Sequence, residues 1–398
     1  VSALDCILLC YAEIGLKGNN RREFEETLVR NVRRALPPGT RLRVDRHRGR
    51  IVLWPDAPPE DVVLRVRDVF GVAFLHPARS LPQDLDAISE AATEAAGGWL
   101  EGRPEEEPVP FRVTTRRADK DFPLRTEEIN RHLGARLIEA HPRLRVRLDA
   151  PELDVGVELR AGSAFLFTER IAGPGGLPVG SIGRVVAMMS GGIDSPVAAW
   201  QCMKRGCEVV FLHFHSQPFT GERSREKALD LIRRLARLQP STRVVLVPFS
   251  EIQKAIRRDA PAKYRTVLYR RMMQRIASRV AAREGALAVA TGDNLGQVAS
   301  QTLENIACID AASEVPILRP LITFEKNEII RIARRIGTYE TSIRPYPDCC
   351  TVFQPPNPVI HGRADRAETA EERLDVSGMV DEAMAQSESF LLEEHDAV

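Results

Sequence analysis

The sequence predicts a multidomain protein of mixed α/β and α+β class. Three observations carry this. The chain has 398 residues, more than one ordinary hydrophobic core organises. Residues 1–77 pattern as strand, helix, strand, strand, helix, strand, which is the ferredoxin-like order. After Gly173-Pro174-Gly175-Gly176, short apolar strands alternate with helices, as in a parallel sheet covered on both faces.

In residues 1–77, Cys6–Tyr11 is an apolar strand, and Gly15 and Gly18 place a loop over Glu13–Asn20. Phe24, Leu28 and Val32 recur at helical spacing across Arg21–Ala35, and Pro37-Pro38-Gly39 stops that helix. Strands at Leu42–Val44 and Arg50–Trp54, a helix at Pro59–Val66 and a strand at Val72–His76 complete the block. Residues 78–172 form a second domain. It has a helix at Leu85–Leu100, a polar turn at Pro104–Pro108, a strand at Phe111–Thr114 and a basic loop at Arg116–Arg125. A helix at Thr126–Ala140 and strands at Arg145–Leu148, Asp154–Leu159 and Ala164–Phe167 follow. Residues 173–362 form the third domain, with strands at Val185–Met189, Val209–Phe214, Arg243–Val247 and Leu287–Ala290. Helices are expected at Ser195–Lys204, Glu222–Arg237 and Ala262–Arg283. Residues 363–398 read as an acidic tail, helical or disordered, with no assigned role.

Apolar residues are 43% and charged residues 28%, ordinary for a soluble globular chain. No apolar run approaches the roughly 20 residues needed to span a bilayer, and no secretory segment is visible. Seven cysteines, an odd number thinly spread, fit a reducing cytoplasm. The net charge of +1 hides an uneven distribution. Phe111–Arg147 carries ten Lys/Arg against five Asp/Glu, whereas residues 363–398 carry three Arg against eleven Asp/Glu. A basic middle suits a polyanion such as RNA, the plainer alternative being a solvated charged face.

The motif richest in chemistry is Ser190-Gly191-Gly192-Ile193-Asp194-Ser195, at the first strand-to-helix turn of the third domain. Paired glycines allow a tight turn, the helix N-terminus favours an anion, and two serines add hydroxyls. The place is right for a pyrophosphate at the carboxyl end of a parallel strand. The Gly-Lys-Ser/Thr ending of a Walker loop is absent. A glycine-rich connecting turn, with Asp194 as the helix N-cap, is the competing reading.

Ser-Gly-Gly-Ile-Asp-Ser resembles the PP-loop of N-type ATP pyrophosphatases, whose fold is Rossmann-like and which adenylate an oxygen of their substrate. Together with Gly173–Gly180, Gly292–Gln301, Arg319–Ile322, Asp348–Phe353 and the opening Tyr11–Arg22, it resembles the tRNA 4-thiouridine synthetase family. The middle domain is similar to that family's THUMP RNA-binding domain through Phe111–Arg117, Asp119-Lys120 and Glu128–Arg131. The resemblance runs to about His361. It implies ATP with Mg²⁺ as cofactors and contacts to ATP from Met188, Met189, Ser190, Gly191, Gly192, Asp194, Ser195, His213, Phe214, Arg270, Gly292 and Gln301. It implies tRNA as substrate, a cysteine desulfurase as sulfur donor, a homodimer, and a link to sulfur supply for the thiamin thiazole ring.

The chemistry expected is adenylation of a uridine oxygen, followed by attack of a persulfide sulfur. Asp194 would orient the loop or hold Mg²⁺, and Lys326, opening a helix, would neutralise phosphate charge. Cys350 is the expected persulfide carrier and Cys349 the alternative one residue away. Cys207, or less readily Cys202, would resolve the persulfide, while Cys6, Cys10 and Cys308 sit in core patterns. Arg116, Arg117, Lys120 and Arg131 are the candidate RNA contacts. The family's longer members carry a rhodanese domain, for which the residues after the cysteine pair are too few. No Cys-x-x-Cys is present to favour an iron–sulfur cluster. Two other readings stay open: a PP-loop ligase that adds nitrogen to tRNA, and a non-catalytic RNA-binding protein.

Overall fold

A strand that is apolar at every position has no face to offer water. The first strand, β1 (Cys6–Cys10), is accordingly buried throughout in the computed structural model. The structure describes residues 4–392 apart from 102, 105, 106, 161, 347, 348, 350 and 351. It divides into two compact units, Val1–Gly176 and Leu177–Val398.

In the first unit, α1 (Arg21–Arg34) buries Phe24, Leu28 and Val32, the stripe its spacing predicts. Then follow β2 (Leu42–His47), β3 (Arg50–Pro55), α2 (Pro59–Val66) and β4 (Phe74–Pro82). The strand order β2-β3-β1-β4, antiparallel throughout, is ferredoxin-like. The expected loop at Glu13–Asn20 is instead two 3-10 turns, Glu13–Leu16 and Gly18–Asn20, because Ile14 turns inward.

Next come α3 (Leu85–Leu100), capped by the Asp84 carboxylate, then β5 (Val109–Arg117) and α4 (Thr126–Ala140). They are followed by β6 (Leu144–Val146), β7 (Leu153–Arg160), β8 (Ser163–Phe167) and β9 (Ile171–Ala172). β5 runs parallel to β6 and β7, and β8 is antiparallel to β7. Ile88 and Ala92 of α3 and Ile129 and Leu133 of α4 pack with Phe111 and Val155 of the sheet into one core.

These two halves share a strand. β4 pairs with β1 over Phe74–Ala78 and with β8 over Arg79–Pro82, so all nine strands belong to one sheet. Proline reads as a strand end because it has no N–H to donate. Pro77 falls where the partner on the side away from β1 changes from β9 to β8. A boundary drawn between residues 77 and 78 therefore cuts a continuous strand. Buried Glu158 of β7 adds a second tie, accepting from Arg50 of β3 at 3.0 Å and from Arg160 at 2.8 Å.

In the second unit the order is β10 (Gly183–Met189), α5 (Asp194–Lys204), β11 (Cys207–His215), α6 (Glu222–Ala236) and β12 (Thr242–Pro248). α7 (Ser250–Asp259), α8 (Arg265–Glu284), β13 (Ala288–Ala290), α9 (Leu303–Asp310) and β14 (Ile317–Leu318) follow. The chain closes with α10 (Lys326–Arg335), α11 (Tyr339–Ser342), α12 (Ala364–Glu371), α13 (Val376–Ala385) and β15 (Glu388–Leu392). The sheet order is β14-β13-β10-β11-β12-β15, parallel except for β15. From β10 the chain goes to β11 on one side and later to β13 on the other. The crevice at the carboxyl ends of β10 and β13 is thus the topological switch point where open α/β sheets bind ligands.

The acidic tail is not an appendage. β15 pairs with β12, and α12 places Glu371 against Arg271, which is 1% exposed. Arg271 donates twice to that carboxylate at 2.9 Å and once to the Cys308 carbonyl at 2.6 Å, and Arg275 adds bonds at 2.7 and 2.8 Å. The tail's acidity answers arginines of α8.

Candidate active site

The carboxyl ends of β10, β11 and β13 open into a cleft. It is lined by Met188, Met189, Ser190, Asp194, Ser195, His213, Phe214, Arg270, Gly292 and Gln301. Those ten come from the twelve positions expected to meet ATP, and Gly191 and Gly192 lie in the same loop. Met273, Gln274, Thr291, Asp293 and Cys349 also line it.

The loop from Ser190 to Ile193 is closed from within. The Ser190 N–H donates to Ser195 Oγ at 3.0 Å and the Gly192 N–H to Ser190 Oγ at 3.2 Å. The serines, expected as ligand donors, thus also set the loop's shape. Gly292 has a steric reason to be glycine. A Cβ there would stand 2.8 Å from the Ser195 nitrogen and 2.9 Å from the Asp194 carbonyl carbon, so β13 could not approach the start of α5.

Asp194 is the first residue of α5 and does not cap it; Ile193 occupies that place. Its carboxylate bonds Lys326 Nζ at 2.5 Å and Gln297 Nε2 at 3.0 Å. Val197 and Ala198 of α5 pack against Leu321, Ile329 and Ala333, and this small core sets the start of α10 beside the start of α5. Two residues 132 positions apart meet because two apolar helix faces do.

His213 is fully buried. Its Nδ1 lies 2.9 Å from the Met189 carbonyl, which only an Nδ1–H can satisfy, so Nε2 is left as an acceptor. Burial pushes its pKa down to about 4, so the ring is neutral at physiological pH. Phe214 belongs to the core, edge-on to Phe249 with centroids 5.4 Å apart, which leaves it a wall more than a stacking platform.

Asp293 was not foreseen. Burial alone would raise its carboxyl, but Arg270, the Thr291 hydroxyl, Arg319 and Gln301 outweigh that and hold it at about 2. Arg270 donates to it at 2.5 Å.

The cysteines separate. Cys349 lines the cleft, and its carbonyl accepts from Gln253 Nε2 at 2.8 Å. Cys350 lies outside the described residues. Cys207 opens β11, six residues before His213 and hence about 20 Å away at the opposite edge of the sheet. Cys202 is near the far end of α5, and burial raises both thiols, Cys202 to about 12. Neither joins the cleft, which corrects the expectation for Cys207 as a resolving thiol. Cys6, Cys10 and Cys308 are buried.

In the first unit, Arg116 and Arg117 lie on β5, which runs on past Thr114 because Thr115 is buried in step with Phe111 and Val113. Arg117 is spent on structure. It donates to the carbonyls of Asp119, Lys120 and Leu124 at 3.3, 2.9 and 2.8 Å and staples the loop it was expected to leave for RNA. Arg116, Lys120 and Arg131 are exposed. Arg116 also lines a hollow with Arg50, Arg112 and Arg170, three arginines too scattered in sequence to be grouped beforehand.

Residues 180–376 match the family of the thiamine biosynthesis protein ThiI, residues 6–75 the ThiI ferredoxin-like domain, and residues 82–169 the THUMP domain. The probable tRNA sulfurtransferase of Moorella thermoacetica is 45% identical over 387 residues, 97% of each chain. The chain belongs to the tRNA sulfurtransferase (ThiI) family. A second tRNA sulfurtransferase relative, from Brevibacillus brevis, is 44% identical across 96% of this chain and 95% of its own. The crystal structure of a 4-thiouridine synthetase–RNA complex with bound ATP superposes with a TM-score of 0.88 at 36% identity. The match covers 98% of this chain and all of that one. Among the cleft residues of this sulfurtransferase-family chain, Met273, Gln274, Thr291 and Asp293 were the ones sequence reasoning missed. The signal available was that Thr291 and Asp293 flank Gly292 at the end of a parallel strand.

Proposed function

We propose that the chain is an ATP-dependent tRNA sulfurtransferase that converts a tRNA uridine, expected at position 8, to 4-thiouridine. The observation that carries this reading is the convergence of Asp194, Lys326 and Cys349 on the cleft built around the Ser190–Ser195 loop. Uridine O4 attacks the α-phosphorus of ATP, and pyrophosphate leaves toward the loop and the start of α5. Lys326 offsets the charge that builds on the phosphates. Asp194 is a hard oxygen donor at the place where the phosphates arrive, so it fits a magnesium ion brought in with the nucleotide. That ion would neutralise phosphate charge.

The sulfur step falls to the adjacent pair Cys349 and Cys350. The terminal sulfur of a cysteine persulfide attacks C4, and AMP departs with the former O4. A second thiolate then attacks the inner sulfur, which forms a disulfide and releases the thiocarbonyl. A cysteine desulfurase would load the persulfide. The first unit binds the tRNA through Arg116, Lys120 and Arg131, by backbone and shape more than by bases. We further read the chain as a cytoplasmic homodimer.

Nucleoside mass spectrometry tests the reading. An unmodified tRNA transcript is incubated with the protein, Mg-ATP, a cysteine desulfurase and cysteine. 4-Thiouridine is expected with the wild type and with neither Asp194→Ala nor Lys326→Ala. Cys350→Ser and Cys349→Ser, run separately, identify the carrier as the one whose loss leaves no protein–tRNA disulfide adduct, since loss of the second thiol would trap that adduct. AMP and pyrophosphate without a thionucleoside would replace sulfur transfer with a nitrogen-adding ligase.

A further inference from the structure

Four separate segments bring a polar group to the Asp293 carboxylate, which is 5% exposed. Oδ1 accepts from Arg270 Nη1 of α8 at 2.5 Å and from Gln301 Nε2 at 3.3 Å. Oδ2 accepts from Thr291 Oγ1 at 2.8 Å and faces Arg319 Nε at 3.5 Å. Arg319 in turn donates to Asp310 of α9 at 3.0 Å. Two carboxylates and two guanidinium groups thus balance one another at the edge of the cleft. Such an array holds its members in one geometry, because losing any one leaves a buried charge uncompensated.

Two of the groups on Asp293 line the cleft themselves. Arg270 has a long side chain whose rotamer freedom the ion pair removes. Gln301 is held more tightly in a chemical sense. Its Nε2 is committed to Asp293, so the amide cannot flip, and its Oε1 is left buried without a protein partner. The side chain therefore offers an acceptor to whatever fills the cleft. An amino or hydroxyl donor of a nucleotide suits it and a carbonyl does not.

Building on the function proposed above, we infer that Asp293 is a positioning residue for ATP. It holds the Arg270 guanidinium and fixes the polarity of the Gln301 amide, and so acts through these two side chains. Asp293→Asn keeps the shape but removes the charge and puts a competing NH₂ against the donors.

The test uses the full chain. ATP affinity is measured by calorimetry and thiolation by steady-state kinetics for the wild type, Asp293→Asn, Arg270→Ala and the double variant. Asp293→Asn is expected to raise Kd and KM for ATP about tenfold or more, with kcat at saturating ATP and KM for tRNA within about threefold. The double variant should lose at least about fivefold less than the product of the two single losses, as coupled residues do. An unchanged KM for ATP with a lowered kcat overturns the inference, as do losses that simply multiply. Should Asp293→Asn fail to fold, Thr291→Val removes one bond to Oδ2. It should raise KM for ATP several-fold in a protein that still folds, as circular dichroism would show, and an unchanged KM overturns the inference. A wild-type protein that binds ATP but forms no thionucleoside would sink the proposed function and leave the role of Asp293 to these affinity measurements.

Discussion

His213 shows how a residue's charge is decided by its place. It sits near the end of β11, only 4% exposed, and donation to the Met189 carbonyl uses the one proton it keeps. Its pKa of about 4 lies below the unfolded value near 6.5, so between those two pH values the unfolded chain binds the extra proton. Stability from this group is therefore complete above about pH 6.5 and is lost as pH falls toward 4, by an amount on the order of 3 kcal/mol. Urea titrations at pH 7.5 and 4.5 should show His213→Asn with a flatter pH dependence than the wild type. Equal slopes would mean that His213 titrates normally. At this scale the cleft was largely legible, because Ser190–Ser195 and Gly292 follow apolar strands and strand ends mark a ligand site. Asp293 was not foreseen, because the two arginines that pair with it lie 23 positions before it and 26 after. Arg117 was misread for a related reason. A guanidinium in a basic run looks available until the carbonyls of its own loop are seen around it.

Helices and strands with a clean apolar stripe, such as α1 and β11, were foreseen within a residue or two. The acidic tail was not. α12 and α13 carry as many charges as a solvated segment, and no local pattern says that one glutamate will meet an arginine 100 residues earlier. Its buried pairing with Arg271 and Arg275 predicts that Glu371→Ala destabilises the second unit by about 3–5 kcal/mol, because a buried guanidinium loses its partner. Chemical denaturation measures this directly. A change below about 1 kcal/mol would return the tail to the status of a surface segment.

For the molecule as a whole, the near-neutral net charge conceals a basic stretch at Phe111–Arg147 and an acidic tail whose Glu371 is paired with Arg271 and Arg275. Binding of tRNA should weaken linearly with the logarithm of salt concentration. Arg116→Ala should weaken it and reduce the slope by about 1, whereas Arg117→Ala should act mainly on thermal stability. Filter binding across a salt series, beside melting curves, separates the two. A slope unchanged by Arg116→Ala would remove that residue from the phosphate contacts.

The strand shared across the first unit limits how this protein can be taken apart or recombined. A chimera joined after residue 77 would divide β4, and each piece would carry a raw row of unsatisfied N–H and C=O groups ready to seize another chain. The ferredoxin-like and THUMP halves are therefore one structural module, and a graft of either into a foreign enzyme would have to bring the other with it.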